Sequence, residues 1–249
     1  MGTASAPTFA VYHYLQERFG VDRLILEQPE NRKVFLKRRI RKLGTVQVAG
    51  QLAFQVLVTP ALRRSSAARV RAIQEEFKLQ ISAPDETDVT RVESVNSQDA
   101  IELLRDLNPD VIVLAGTRIL SKNFLGSVRC PVINVHAGIT PLYRGVHGAY
   151  WALVERRREL CGVTVHRVDS GIDTGEVLAQ RLINVTEQDN FVTYPWMQLG
   201  EGLRALAELL PDVASGKARG VAAMIAESKL RHHPTLWRYI FYRIRCGVK

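Results

Sequence analysis

The chain has 249 residues, room for one large α/β domain or two small ones, and its 46% hydrophobic and 24% charged residues exclude a disordered or low-complexity chain. The net charge of +9 suits an anionic small molecule, nucleic acid or an anionic membrane surface, and does not choose among them. Cys130, Cys161 and Cys246 lie far apart without metal-ligand spacing, which speaks against a disulfide framework or a metal site and for a reducing, cytoplasmic setting. No basic region followed by an apolar one opens the chain, and no run of about 18 uninterrupted apolar residues occurs, so neither a signal peptide nor a transmembrane helix is expected.

Taken in chain order, residues 8–19 predict a helix with Phe9, Tyr12, Leu15 and Phe19 on one face, stopped by Gly20. Residues 23–27 (RLILE) predict a short buried strand. A helix ahead of any strand is unusual for a parallel α/β chain, so a first strand is expected to be missing. Residues 31–44 hold seven Lys or Arg and predict a helix without a clean apolar stripe. They lead into an apolar helix over 46–64, in which Gln47, Gln51 and Gln55 recur every four residues and draw one polar line. Two readings of this basic insertion (31–64) stand. It is a core or homodimer-interface helix beside a solvated basic face, or an interfacial membrane helix with a polybasic flank. Glutamine rather than lysine lines the apolar segment, which favours the first.

A helix is predicted over 67–78, a strand over 89–95, and a Ser97-capped helix over 98–107 that Asn108-Pro109 breaks. The apolar run 110–115 (DVIVLA), bounded by turn residues, reads as a strand buried on both faces. Strands follow over 130–136, 162–168 and 177–185, with helices over 148–157 and 192–210. The tail, 228–249, is basic and aromatic without periodicity, and His232 and His233 read as surface residues. The rhythm predicts an α/β fold with an open, mostly parallel sheet and helices on both faces, lacking its first strand. One domain is expected, with an N-terminal part (1–90), a catalytic core (91–215) and a tail (216–249).

Open sheets of this kind bind ligands beyond the carboxyl ends of their strands. Asn134 and His136 end one such strand two residues apart, hence on one face, and Asp173 sits between glycines in SGIDTG. Singly, each has a structural reading: a strand-end amide, a packed imidazole, a turn carboxylate. Together they supply what acyl transfer to an amine requires, namely a donor for the developing oxyanion and a base for the protons the amine sheds.

With its motifs NPDVIVLAGTRILS, INVHAGITPLYRG and GVTVHRVDSGIDTGEVLAQ, spread over 97–185 and a little over a third of the chain, the sequence resembles the formyltetrahydrofolate-dependent formyltransferases. The group contains the glycinamide ribonucleotide, methionyl-tRNA and sugar-nucleotide enzymes. The resemblance implies a Rossmann-like fold, 10-formyltetrahydrofolate as co-substrate, and Asn134, His136 and Asp173 as the catalytic trio. It also implies that Arg118, Ile119 and Leu120, with Gly171 and Ile172, lie against the pterin. His166 matches a position near the family's site, where a packed supporting role and a direct one are both open. Tyr143 and Arg144 are expected to border the acceptor; His147 either lines the same opening or caps the next helix.

The glycine-rich loop that holds phosphate in the glycinamide ribonucleotide enzyme has no counterpart in residues 1–19, and the 60 or so residues after Val185 are too few for the C-terminal barrel of the tRNA enzyme. The expected acceptor is therefore a small, anionic amine-bearing metabolite rather than a nucleic acid. Formate release to water, and folate or membrane binding without catalysis, are the rival readings.

Overall fold

A computed structural model describes residues 1–249. Its elements run β1 (Gly2–Thr3), α1 (Ala6–Phe19), β2 (Leu24–Glu27), α2 (Arg32–Leu43), α3 (Thr45–Ala53), α4 (Thr59–Ser65), α5 (Ala67–Glu76) and β3 (Val89–Val92). Then follow α6 (Gln98–Leu107), β4 (Ile112–Leu114), α7 (Lys122–Ser127), β5 (Val132–His136), β6 (Arg144–Gly145) and α8 (Gly148–Val154). The chain closes with β7 (Gly162–Arg167), β8 (Val177–Leu182), α9 (Tyr194–Ala214), β9 (Leu230–Arg231) and α10 (Leu236–Cys246).

Two hydrogen-bonded sheets, β1-β2-β3 and β4-β5-β7-β8, are joined by a parallel bridge between Gly2 and Ala115. The order across the joined sheet is therefore β3-β2-β1-β4-β5-β7-β8, and it reverses between β1 and β4, where doubly wound sheets leave a crevice. The first strand expected to be missing is present. Its two residues pair in parallel with Leu26 and Glu27 and are too few to carry a periodicity that sequence reading could detect. The parallel expectation also needs correction at one edge, because β7 is antiparallel to both β5 and β8. Strands β7 and β8 are joined by residues 168–176, far too short for a parallel crossover.

Helices cover both faces, as expected. On one, α9 packs on β5, β7 and β8; Gly202 lets it approach so closely that an added Cβ would lie 2.3 Å from Val135. That face belongs to a core of 32 buried residues, including Leu203, Leu206 and Ile133. On the other, Ala100, Ile101 and Leu104 of α6 and Phe124 of α7 bury against Ile25, Ile112, Leu114 and Val132. Ser97 caps α6 as its sequence suggests, accepting from the Ala100 N–H at 3.3 Å.

The insertion differs most from its reading. Helices α3 and α4 run continuously through a π-helical turn, Phe54–Val58. That wider turn lets Pro60, which has no N–H to give, sit inside a 21-residue helix from Thr45 to Ser65. The glutamine line faces inward: Gln51 is fully buried and donates to the His233 carbonyl at 2.8 Å, while Arg39 donates to its Oε1 at 2.5 Å. Val46, Leu52, Val56 and Leu57 face out, while Val48 and Phe54 are buried. The tail read as aperiodic folds into β9 and α10, whose Tyr239 packs on Phe54.

Candidate functional site

The site is built at the carboxyl end of β5. Alternation along the strand puts Asn134 and His136 on one face, and the register with β7 sets His166 opposite Asn134 and Thr164 opposite His136. After His136 the chain turns back on itself. Its ring Nε2 lies 2.8 Å from the Tyr143 carbonyl, which can only accept, so Nε2 carries the hydrogen. This closeness depends on Gly138, where a Cβ would fall 2.4 Å from the Tyr143 oxygen and 3.0 Å from His136 Nε2. The other ring nitrogen, Nδ1, faces Asp173 Oδ1 at 3.4 Å.

Asp173 comes from the β7–β8 loop, with a left-handed φ of 51°. Two anchors fold that loop over the strand end: Arg144 donates to the Ile172 carbonyl at 3.1 Å, and the Gly145 N–H donates to Asp173 Oδ2 at 2.8 Å. Asp169 stiffens the loop from within by accepting from the Gly171 N–H and the Thr174 hydroxyl. Burial works against ionisation of Asp173. The bonds from His136 and Gly145, with the nearby imidazoles, outweigh it and hold the carboxyl below its ordinary range.

His166 Nδ1 donates to the Arg167 carbonyl at 2.7 Å, leaving Nε2 as an acceptor 3.2 Å from the Asn134 amide nitrogen and 3.8 Å from Asp173. Burial foremost, with the neighbouring His136, lowers the His166 pKa, so the ring is neutral near pH 7. A neutral acceptor there fixes which way the Asn134 amide points. The expected trio and His166 thus form one cluster, His136 against Asp173 and Asn134 against His166.

The other expected residues divide. The Tyr143 ring is wholly buried, its hydroxyl donating to Glu155 at 3.0 Å, and only its carbonyl reaches the site; an aromatic residue in a loop gave no sign of turning inward. His147 occupies the cap position of α8 without capping it. Its Nε2 meets His233 Nδ1 at 2.9 Å and its ring stacks 4.0 Å from Phe191, so His233 is not the surface residue it was read as. Both rings line a cavity of about 1160 Å³ that also touches Gly116, Ala137, Arg63 and Arg71. Neither this cavity nor a second one of about 680 Å³ under α1 is lined by Asn134, His136 or Asp173 themselves.

In the loop after β4, Ile119 is 61% exposed, Leu120 is buried, and the Arg118 guanidinium is taken up by Glu27 at 3.1 Å. Glu27, which sequence reading passed over, accepts from the backbone N–H groups of Arg118 at 2.6 Å and Val95 at 3.1 Å. One buried carboxylate thereby ties together the loops that follow β2, β3 and β4. An acid closing the apolar run RLILE was the available sign.

An imidazole and an oriented amide around one ionised carboxylate, at a strand end of a Rossmann-like sheet, make a centre suited to transferring an acyl group. The sequence pattern of the Formyl transferase family matches residues 45–198, and the chain belongs to that family. Methionyl-tRNA formyltransferase of Caldanaerobacter subterraneus subsp. tengcongensis is 36% identical over 52% of this chain and 42% of its own length. That of Anaeromyxobacter sp. (strain K) is 31% identical over 77% of this chain and 60% of its own. The chain thus spans about half the length of these curated relatives. Among solved structures, glycinamide ribonucleotide transformylase 1 from Symbiobacterium toebii superposes with a TM-score of 0.54 at 19% identity, covering 86% of this chain and 87% of that one, a likeness of fold.

Proposed function

We infer that the chain transfers a formyl group from 10-formyltetrahydrofolate to the primary amine of a small anionic metabolite, an amino-sugar nucleotide or glycinamide ribonucleotide being fitting examples. The observation that carries this reading is the cluster in which His136 faces Asp173 and His166 orients the Asn134 amide. When bound, the folate supplies an activated formyl carbon on its N10. The residues present suit it: the exposed Ile119 offers an apolar edge, and the 118–120 loop is held by Glu27. Leu120 shares a core cluster with Val168, where the Asp173 loop begins, so both loops leave one support.

The Asn134 amide, oriented by His166, donates toward the formyl oxygen as charge develops there, and His136, bonded to the Tyr143 carbonyl, positions Asp173 beside it. Asp173, held ionised, takes the proton that the attacking nitrogen sheds, directly or through water. A nitrogen–carbon bond forms at the acceptor as the N10–carbon bond breaks, and N10 leaves with a proton. The transfer is redox-neutral. Arg63 and Arg71 on the wall of the cavity beside Ala137 and His147 suit an anionic acceptor.

The test is to supply 10-formyltetrahydrofolate with a panel of amino-sugar nucleotides and glycinamide ribonucleotide and follow tetrahydrofolate. Release that requires one amine supports the reading. Release independent of any amine makes the protein a hydrolase, and no release with any of them sinks the proposal.

A further inference from the structure

Residues 31–66 contain nine Lys or Arg and residues 228–249 six, together 15 of the chain's 34, and neither segment contains an Asp or Glu. The fold brings the two segments together. Trp237 of α10 lies on Gly50 of α3, where a Cβ would be 2.2 Å from the indole, and Tyr239 packs 4.8 Å from Phe54. Arg39 of α2 reaches Gln51. Helices α2, α3–α4 and α10 therefore share one surface.

That surface is apolar as well as basic. Val46, one turn before Gly50, is 74% exposed, Val56 69%, Leu57 64% and Ile244 of α10 82%, with Phe241 and Trp237 half-exposed beside them. A helix that buries Gln51 while Val46, Val56 and Leu57 stand in solvent departs from the arrangement water selects. Its 21 residues and mean hydropathy of 1.2 would allow it to span a bilayer. Val48, Gln51 and Phe54, however, bury against the protein, so the helix can lie on a membrane but cannot thread through it.

We propose that the face formed by α2, α3–α4 and α10 docks on an anionic lipid bilayer, its aliphatic residues entering the acyl boundary and its arginines and lysines meeting the headgroups. Charge complementarity selects this occupant. A second copy would set two faces of strong cationic excess against each other, and an RNA would leave Val46, Val56, Leu57 and Ile244 against a phosphate backbone that offers them nothing.

The whole chain is to be sedimented with vesicles of phosphatidylcholine alone and with roughly a third phosphatidylglycerol, at about 0.1 M salt. Partitioning at least about tenfold stronger on the anionic vesicles is expected, and Val56→Asp with Ile244→Asp should lower it by roughly tenfold or more. Both side chains are exposed, so melting temperature should be unchanged. Should the double variant melt early, Trp237 reports independently: vesicles should shift the wild-type emission to the blue, and Trp237→Phe should abolish the shift. Equal binding to both vesicles, no binding, or undiminished binding by a folded double variant overturns the proposal. So does a concentration-dependent dimer, or a tRNA complex, that the same double variant dissolves in place of vesicle binding.

Discussion

At the scale of single residues, the centre is organised around Asp173, which four groups address: His136, His166, the Gly145 N–H and, through the neighbouring peptide, Arg144. Asp173→Asn keeps the size but removes the charge and the base. We expect kcat to fall by about 10²–10⁴ while the affinity for folate changes little, a split that single-turnover kinetics beside a binding titration would show. Glu27 acts differently, since it holds the loop proposed to receive the pterin and touches none of the reacting groups. Glu27→Gln leaves one polar end without its ion pair, and KM for the folate should rise several-fold with a smaller change in kcat. That Asn134, His136 and Asp173 would come together was legible in the sequence because three motifs had to agree. Glu27 and His233 were not, because what makes them matter is a contact 91 residues away in one case and 86 in the other, and no local pattern encodes it.

At the scale of elements, the site depends on two backbone devices: the β7–β8 hairpin that delivers Asp173 and the return loop after β5. In the return loop, Gly138 meets the Tyr143 carbonyl and the Gly148 Cα, with no room for a methyl group. Gly138→Ala should therefore cost about 2 kcal/mol or more and detach His136 from its carbonyl, lowering both the urea midpoint and turnover. Buried strands β4 and β5 were readable as apolar runs, and α6 from its cap and stripe. Strand direction was not, since a hydrophobic run looks the same in either direction and only the short 168–176 connection distinguishes them. The glutamine line of α3 was located from its spacing but not what it faces, because periodicity defines a face without saying what lies against it.

At the scale of the whole molecule, Arg39, Gln51, His233 and His147 form a hydrogen-bonded chain from the basic surface to the cavity wall. Burial foremost lowers the pKa of both histidines: His147 well below its ordinary value, with His233 adding to the effect, and His233 to about 4, with Arg39 adding to it. In the unfolded chain both rings take up a proton near pH 6.5. Below that pH the unfolded state binds more protons than the folded one, so the contribution is complete above about 6.5 and is lost as pH falls toward 4. The carboxylates with lowered pKa, Asp173 and Asp189, lose their contribution only below their ordinary value of 3.8. Thermal melts taken from about pH 7.5 down to about pH 4.5 should show a falling midpoint. The fall should be shallower but not abolished in a His147→Phe, His233→Leu variant, since the buried Met1 amine, His166 and His232 also have lowered pKa values, and an equal slope in both proteins would contradict the assignment.

All 25 acidic residues lie outside the two segments that build the α2, α3–α4 and α10 face. The folded chain is therefore an electric dipole as well as a net cation. In the field of an anionic surface it experiences a torque before any contact is made, and it arrives turned the right way round. What this adds is chiefly speed: association should slow steeply as salt rises, while the lifetime of the complex, set by the buried aliphatic side chains, should change far less.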